Sequence, residues 1–82
     1  FESMIYPNPG DGFVNISWNN SFNGELQIEV LSANGTPVLN EKTMVRSGIN
    51  ATAIDLSQLA SGMYFIKLQT GKYSNIQKYI KH

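Results

Sequence analysis

Apolar and polar side chains alternate along most of the chain, and no stretch keeps a helical period for more than one turn. In the clearest example, Leu26, Ile28 and Val30 point to one side, while the charged and amide side chains between them point to the other. One apolar and one polar face are typical of an antiparallel strand that covers a core and also contacts water. This pattern predicts an all-β protein.

Several further runs share the alternation and are predicted to bury every second side chain. Trp18 and Tyr64 fall on such apolar faces, where an aromatic side chain ordinarily belongs to the core. In the last run, Ile76 and Ile80 share a face with Lys78, whose aliphatic stem we expect to extend past them. The other predicted core positions in these runs are Val14, Ile16, Ile66 and Leu68.

Turn-forming residues separate these runs at short, regular intervals. The pair Asn34-Gly35 predicts a hairpin between two β-rich runs, since both residues accept a positive φ. Seven short strands at this spacing predict an immunoglobulin-like β-sandwich of two antiparallel sheets, because a single sheet would leave faces without a second layer. The predicted strands span residues 3–6, 13–18, 25–32, 37–45, 49–55, 63–69 and 73–80.

The segment at residues 55–59 is predicted to form a single helical or 3₁₀ turn that crosses between the sheets. We expect Asp55 to cap this turn, and Leu56 and Leu59 are spaced to reach the core. Gly62 then permits a tight bend, which directs Tyr64 inward.

The segment before the second strand has a different character, because Pro7 and Pro9 each fix φ and lack an N–H. Neither proline can donate to a central ladder, so this entry segment is predicted to form a rigid exposed turn. Tyr6 is expected to anchor it from the core side. The Asp11-Gly12 pair that follows predicts an Asx-type turn, since a calcium loop needs several carboxylates and this loop offers only one.

The chain has 82 residues, a length that suits one small domain and is too short for two. We therefore treat residues 1–82 as a single domain. Because the first residue is Phe1 and no signal-peptide pattern follows it, we expect this domain to be a piece of a longer chain. The absence of cysteine excludes disulfides, thiol catalysis and Cys-ligated metal sites.

The net charge of zero conceals a strong asymmetry between the two halves of the chain. Residues 1–41 carry five acidic side chains and no Lys or Arg, whereas residues 42–82 carry six basic side chains and one acidic side chain. A nucleic-acid-binding domain ordinarily has a clear basic excess, so the net charge argues against nucleic acid as a partner. The basic half could form a local patch, or the two halves could simply attract one another within the fold.

Candidate catalytic groups are few. His82 is the only imidazole, and the end of a chain is an unsuitable place for a catalytic triad. Glu25 and Glu29 fall on the predicted solvent face of one strand and not in a cleft that would pair them for acid–base catalysis. Gly10 and Gly12 precede a strand, so they cannot form a phosphate loop at the start of a helix. The sequence therefore predicts a non-catalytic module without a cofactor or metal site.

A ligand-binding function stays open beside this interpretation. Exposed aromatic side chains could stack on sugar rings, in which case the domain would be a carbohydrate-binding or fibronectin-like accessory or adhesion module of a secreted enzyme. That alternative predicts an exposed aromatic pair on one sheet face and measurable affinity for glycans. A spacer or adhesion domain would instead tolerate a position in the middle of a chain.

Several segments together carry a likeness to a known family. The first is an aromatic-Pro-Asn-Pro turn followed by Gly-Asp-Gly and an apolar strand, and the second is residues 55–68, in which Gly-x-Tyr opens the penultimate strand. In their order and spacing, they resemble the C-terminal sorting domains of the type IX (Por) secretion system. The hairpin at residues 31–38 and the basic, apolar end at residues 78–81 are also similar to that family. The signal-motif residues are Tyr6, Pro7, Asn8, Pro9, Gly12, Asp55, Leu56, Gly62 and Tyr64.

The resemblance implies a seven-stranded immunoglobulin-like sandwich that serves as an address tag on proteins exported by Bacteroidetes-type bacteria. Such a domain would engage an outer-membrane translocon and its shuttle components and would itself perform no chemistry. A sortase-like protease would then remove it, while the cargo, the N-terminal part of the same polypeptide, is attached to surface lipopolysaccharide. The implied location is secreted or cell surface, after transit through the periplasm and outer membrane.

The last two predicted strands gather basic residues, and we expect this hairpin to be the surface that the translocon recognises. Lysines on an edge strand also deter sheet-to-sheet aggregation, which is a simpler explanation and is compatible with recognition. The sequence leaves open whether the domain forms a homodimer through an edge strand. The lysines concerned are Lys67, Lys72, Lys78 and Lys81.

Overall fold

The computed structural model describes residues 3–21 and 23–82, and within them seven strands form two antiparallel sheets. Glu2, one of the acidic residues of the first half, and Phe22, in the loop after the second strand, lie outside the described residues. Each strand begins and ends within two residues of its predicted bounds. The strands are β1 Ser3–Tyr6, β2 Phe13–Asn20, β3 Gly24–Ser32, β4 Pro37–Val45, β5 Gly48–Asp55, β6 Gly62–Thr70 and β7 Tyr73–Lys81.

The two sheets differ in size and together confirm the predicted sandwich. The small sheet has the strand order β1-β2-β5, and the large sheet has the order β4-β3-β6-β7. Every strand pair is antiparallel. In the constant-type immunoglobulin arrangement the fourth strand lies beside the fifth, whereas here β4 pairs with β3. Consequently β5 is an edge strand of the small sheet.

The core lies between the sheets and contains the residues that the alternation predicted. On β3 the side chains of Leu26, Ile28 and Val30 are buried. The predicted core aromatics Trp18 and Tyr64 are also buried. Burial of a large aliphatic side chain stabilises a fold by about 1.5–3 kcal/mol, so this layer is the main source of stability. The remaining core residues are Ile5, Val14, Ile16, Val45, Ile54, Leu56, Ile66, Leu68 and Tyr79.

The predicted hairpin at Asn34-Gly35 is confirmed and joins β3 to β4. The Gly35 N–H donates to the Ser32 carbonyl at 2.9 Å, and Gly35 has a φ of 87°. Asn34 does not use a positive φ; its side-chain Oδ1 instead accepts the Thr36 N–H at 3.2 Å. The turn therefore combines one glycine in the left-handed region with an Asx-type hydrogen bond, and the Ser32 N–H closes it by donating to the Thr36 carbonyl at 2.8 Å.

The expectation that Tyr6 anchors the entry segment from the core side is wrong. Tyr6 is 45% exposed, whereas its neighbour Ile5 is 8% exposed and belongs to the core. The reason is the strand itself, because alternation along β1 directs successive side chains to opposite faces. The entry segment is exposed as predicted, since Pro7, Asn8 and Pro9 all lie at the surface.

Residues 55–59 form a single turn closed by a hydrogen bond between residues three apart, which is the 3₁₀ option of the prediction. Its single backbone hydrogen bond runs from the Leu59 N–H to the Leu56 carbonyl at 3.1 Å. The turn connects β5 of the small sheet to β6 of the large sheet, as predicted. Leu56 is buried and Leu59 packs partly buried against the core, which confirms the expected role of both leucines.

On β7 the core-facing positions differ from the expected ones. Ile76, Lys78 and Ile80 do share a face, but it is the solvent face of the large sheet. The inward positions belong to Tyr79 and Lys81, which are both buried. Within the described ranges 3–21 and 23–82, no helix is long and apolar enough to cross a membrane.

Candidate functional site

Residues 6–12, which we call the opening motif, cover the outer edge of β7, the last strand of the large sheet. The Asn8 side chain contacts β7 with both ends of its amide. Its Nδ2 donates to the Lys78 carbonyl at 2.7 Å, and its Oδ1 accepts the Ile80 N–H at 3.0 Å. In a sheet, a neighbouring strand would donate to such a carbonyl and accept from such an N–H. The Asn8 amide therefore takes the place of a strand partner at these two groups.

Gly10 continues this cover with a backbone bridge. The Gly10 N–H donates to the Ile80 carbonyl at 3.0 Å, and the Gly10 carbonyl accepts the His82 N–H at 2.9 Å. A Cβ atom at Gly10 would lie 2.7 Å from the Tyr79 hydroxyl oxygen and 2.8 Å from the Pro7 carbonyl oxygen. Only glycine therefore fits here without movement of the chain, and the motif closes an edge that would otherwise be open to strand pairing.

The Tyr79 hydroxyl group links the opening motif to the core. Tyr79 is completely buried, and its hydroxyl oxygen accepts the Gly12 N–H at 2.9 Å. Gly12 has a φ of 112°, and a Cβ atom there would lie 2.8 Å from both Cα and N of Ser57. The Gly12 carbonyl accepts the Leu56 N–H at 2.7 Å. Gly12 is thus the residue at which the two sequence motifs meet.

Asp55 and Tyr64 lie on either side of the turn in residues 55–64, which we call the second motif. The Asp55 Oδ1 accepts the Ser57 N–H at 2.9 Å. Hydrogen bonds from the Ser57 side chain and backbone lower the pKa of the Asp55 carboxyl below its ordinary value. Beyond the turn, the Tyr64 hydroxyl donates to the Ala60 carbonyl at 2.6 Å, an arrangement similar to the tyrosine corner of immunoglobulin-like sandwiches.

Lys81 completes the junction from the last strand. It is 9% exposed, and its Nζ donates to the Leu59 carbonyl at 2.7 Å, so it ties β7 to the turn of the second motif. This corrects the expectation that all the lysines of the hairpin gather on one surface, because alternation along β7 directs Lys81 inward beside Tyr79. Residues 6–12, 55–64 and 79–82 meet at one end of the sandwich, which we call the motif end.

The other lysines of the β6–β7 hairpin point away from the core. Lys72 lies in the exposed turn, and Lys67 and Lys78 lie on the outer face of the large sheet. In the ladder, Lys67 is opposite Ile76 and Lys78 is opposite Phe65, so the two lysines are diagonal neighbours. Apolar side chains thus lie beside each cation, which gives this face both charge and contact area.

Lys67 also has an acidic neighbour. Glu29 on β3 lies directly opposite Lys67, and both residues border a depression of about 160 Å³ together with Gln27 and Gln69. Opposite charges in this position contribute roughly 0.2–1 kcal/mol. This register places an acidic residue of the first half of the chain opposite a basic residue of the second half.

Three polar residues that sequence reasoning missed connect the first strand to the last. The Gln77 Nε2 donates to the Ser3 carbonyl at 3.0 Å and to the Asn75 Oδ1 at 3.1 Å. The Ser3 Oγ donates to the same Asn75 oxygen at 3.2 Å and also contacts Gln77. The sequence contained a sign of this contact. Asn75 and Gln77 occupy alternate positions of β7, on the same face of the strand as the buried Tyr79.

The outer face of the small sheet carries exposed aromatic side chains. Tyr6 on β1 is 45% exposed, and Phe13 on β2 is 57% exposed. Tyr6 is opposite Asn15, two residues from Phe13, so the two aromatic residues are diagonal neighbours on one face. In the part of the chain that the structure describes, no group of three His, Asp or Glu side chains is arranged to hold a metal ion.

Comparison with known proteins gives one family. The family model for the secretion system C-terminal sorting domain matches residues 4–82 of the sequence. This range includes both motifs and all the strands from β2 to β7. No curated protein matches the chain.

Proposed function

The chain belongs to the family of secretion system C-terminal sorting domains, and we propose that it is a non-catalytic signal that carries a cargo through the type IX outer-membrane translocon. The cargo is the N-terminal part of the same polypeptide, and residues 1–82 act as one folded unit. The observation that carries this proposal is the family match over residues 4–82. The junction of both motifs with the last strand supports it, because the signal then exists as a surface only in the folded domain.

The proposal includes a step after export. A sortase-like protease removes the domain, and the cargo is retained at the cell surface or released from it after transit through the periplasm and outer membrane. Its support is the family to which the domain belongs. If removal occurs, cargo recovered from the surface lacks a mass close to the 9.1 kDa of the domain. A cargo that keeps the domain at the surface contradicts this step and leaves the sorting function intact.

We place translocon recognition on the outer face of the β6–β7 hairpin, with Lys67, Lys72 and Lys78 as its charged residues. Protection of a sheet edge against aggregation does not account for all three lysines, since Lys67 lies on β6, an internal strand. Asn8 already covers the β7 backbone next to Lys78, from the Lys78 carbonyl to the Ile80 N–H. Lys81 is left out of this surface, because its amino group is bound to the Leu59 carbonyl.

A transplant tests the sorting function. Residues 1–82 are fused to the C-terminus of a fluorescent protein that carries a general export signal, in a Bacteroidetes host with the type IX machinery. We expect fluorescence at the surface or in the medium, and its loss in a translocon-deficient strain. An intact fusion that stays folded in the periplasm of the competent host contradicts the proposal.

The recognition surface is tested in the same assay with Lys78→Gln and, as the matched control, Lys42→Gln. Both lysines are exposed and lie on edge strands of the large sheet, but Lys42 is on β4 at the opposite edge. We expect export to fall only for Lys78→Gln. Normal export of that variant, or equal loss for both variants, contradicts this assignment of the surface.

The diagonal pair Tyr6 and Phe13 supports a second candidate function, binding of a carbohydrate by an accessory module. Exposed aromatic rings on one sheet face provide a platform on which sugar rings stack. In this case affinity electrophoresis against a panel of polysaccharides shows retardation that Phe13→Ala abolishes. Absence of retardation with every polysaccharide leaves the sorting function as the single candidate.

A further inference from the structure

Residues 3–21 and 23–82 form sheets with four strand edges, and three of these edges carry a feature that opposes strand pairing. The β7 edge is covered by Asn8 and Gly10. The β1 edge is four residues long and is joined to β7 through Ser3. The β4 edge contains Pro37, two charged residues and a register shift against β3.

The fourth edge, β5, lacks these features. From Gly48 to Ile54 it contains no charged residue and no proline, and its ladder with β2 is regular over all eight residues. Among the described residues β5 has a strand neighbour only on its β2 side. An uncharged, regular edge of this length presents unpaired backbone groups to a further strand.

The start of β5 is also held in a defined position. The Asn50 Nδ2 donates to the Arg46 carbonyl at 2.7 Å, and the Asn50 Oδ1 accepts the Arg46 N–H at 3.1 Å. The preceding loop is fixed as well, since the Ser47 N–H donates to the Asn23 Oδ1 at 2.9 Å. A strand edge that is ordered before it binds loses less conformational entropy when a partner pairs with it.

We propose that β5 is a homodimer interface, at which a second copy of this chain pairs antiparallel about a two-fold axis at Ala51. In this register Ala51 faces Ala51 of the other copy, and Ile49 faces Ala53. Ile49 is 85% exposed, so the large side chain of one copy covers the small side chain of the other. Pairing about Ala51 keeps outward residues opposite outward residues, which a shift of one residue would not do.

Charge favours a second copy as the occupant. Arg46 precedes β5 and Asp55 ends it, with no charge between them. Antiparallel pairing about Ala51 brings residue 47 of one copy opposite residue 55 of the other, so Arg46 lies next to the partner Asp55 at both ends. The two small sheets then form one continuous sheet, while the exposed lysines of the β6–β7 hairpin, which belong to the large sheet, stay accessible. This inference does not depend on the sorting function.

Sedimentation equilibrium of the chain tests the interface between about 10 µM and 1 mM, because an interface of one strand belongs to the weak class. We expect a reversible monomer–dimer equilibrium. Ala51→Lys and Ala51→Glu each place like charges directly opposite one another across the axis, and each should weaken the dimer by about tenfold or more. An equimolar mixture of the two variants should recover dimers, because opposite charges then face each other.

The matched control is Met4→Lys, which adds the same charge to the same face of the small sheet at its other edge. It should leave the dimer unchanged, and thermal unfolding should show that all three variants are folded. A wild-type chain that is monomeric over the whole range overturns the proposal. So does equal weakening by Met4→Lys, which indicates stacking of the sheet faces, or a mixture of folded variants that does not recover dimers.

Discussion

At the scale of single residues, an exposed side chain, Asn8, has a structural role. Asn8 makes no contribution to the apolar core, yet its amide satisfies a carbonyl and an N–H of β7 about 70 residues further along the chain. Aspartate, serine or alanine could not do this, because only a carboxamide carries a donor and an acceptor at the required separation. The Pro-Asn-Pro sequence therefore has a structural role at its central residue.

Replacement of Asn8 by Ala should lower the free energy of unfolding by about 1–2 kcal/mol, because two hydrogen bonds are lost and the edge of β7 is exposed. Urea denaturation followed by circular dichroism measures this change. The control is Asn19→Ala, which removes an exposed amide on β2 and should cost less than about 0.5 kcal/mol. Equal effects of the two substitutions would argue against a structural role for Asn8.

At the scale of elements, the turn between β5 and β6 depends on the ionised form of Asp55. Hydrogen bonds from the Ser57 side chain and backbone lower the pKa of the Asp55 carboxyl in the folded state. Because the pKa is lowered in the folded state, the ionised Asp55 carboxyl stabilises the fold fully above its ordinary pKa of about 3.9. This stabilisation is lost as the pH falls through the lower pKa of the folded state.

We therefore expect the wild-type chain to lose more stability than Asp55→Asn between pH 5 and pH 2, since the amide variant cannot gain a proton in this range. Thermal unfolding across the pH series measures the difference. Glu25→Gln is the control, because Glu25 is an exposed carboxyl on the outer face of β3. Its pH profile should follow that of the wild-type chain. A wild-type chain and an Asp55→Asn variant with parallel pH profiles would contradict the role of the carboxylate in this turn.

At the scale of the whole molecule, the two ends of the chain close the sandwich together. β1 and the opening motif bind β7, and Tyr79 and Lys81 bind the two motifs. A domain of this size is stable by only several kcal/mol, and loss of one buried aromatic side chain costs about 3–5 kcal/mol. The domain should consequently unfold as one unit.

Deletion of residues 79–82 should abolish the cooperative unfolding transition, because it removes Tyr79 from the core and the strand segment that the opening motif covers. Circular dichroism during heating detects the loss. Deletion of His82 alone is the control; it removes one backbone hydrogen bond to Gly10 and should cost about 1 kcal/mol or less. A cooperative transition in the longer deletion would contradict this account of the fold.

Alternation of polar and apolar residues was sufficient for the strands and most of the core. Its errors occurred where a polar side chain faces inward for a specific partner. Lys81 and Gln77 occupy inward positions of β7 because a carbonyl on another segment accepts a hydrogen bond from each. Hydrophobicity is a property of single residues and carries no information about such partners.

At the motif end, too, the sequence identified residues but not the partners that they contact. The resemblance identified Asn8 and Gly12 by sequence, and the structure supplies their partners: β7 for Asn8, and the Tyr79 hydroxyl and the Ser57 backbone for Gly12. Gly10 and Tyr79 were not among the predicted site residues. Each is explained by a contact across almost the whole length of the chain, which no local pattern contains.

The sequence by itself determined the all-β class, the strand bounds to within two residues and most of the buried faces, because backbone alternation and side-chain hydrophobicity act within a few residues. Only the tertiary structure decided that β4 pairs with β3, that the opening motif covers β7, and that β5 is left as the unprotected edge. These features depend on which strands become neighbours. That choice is made by the packing of two whole sheets and not by any single segment.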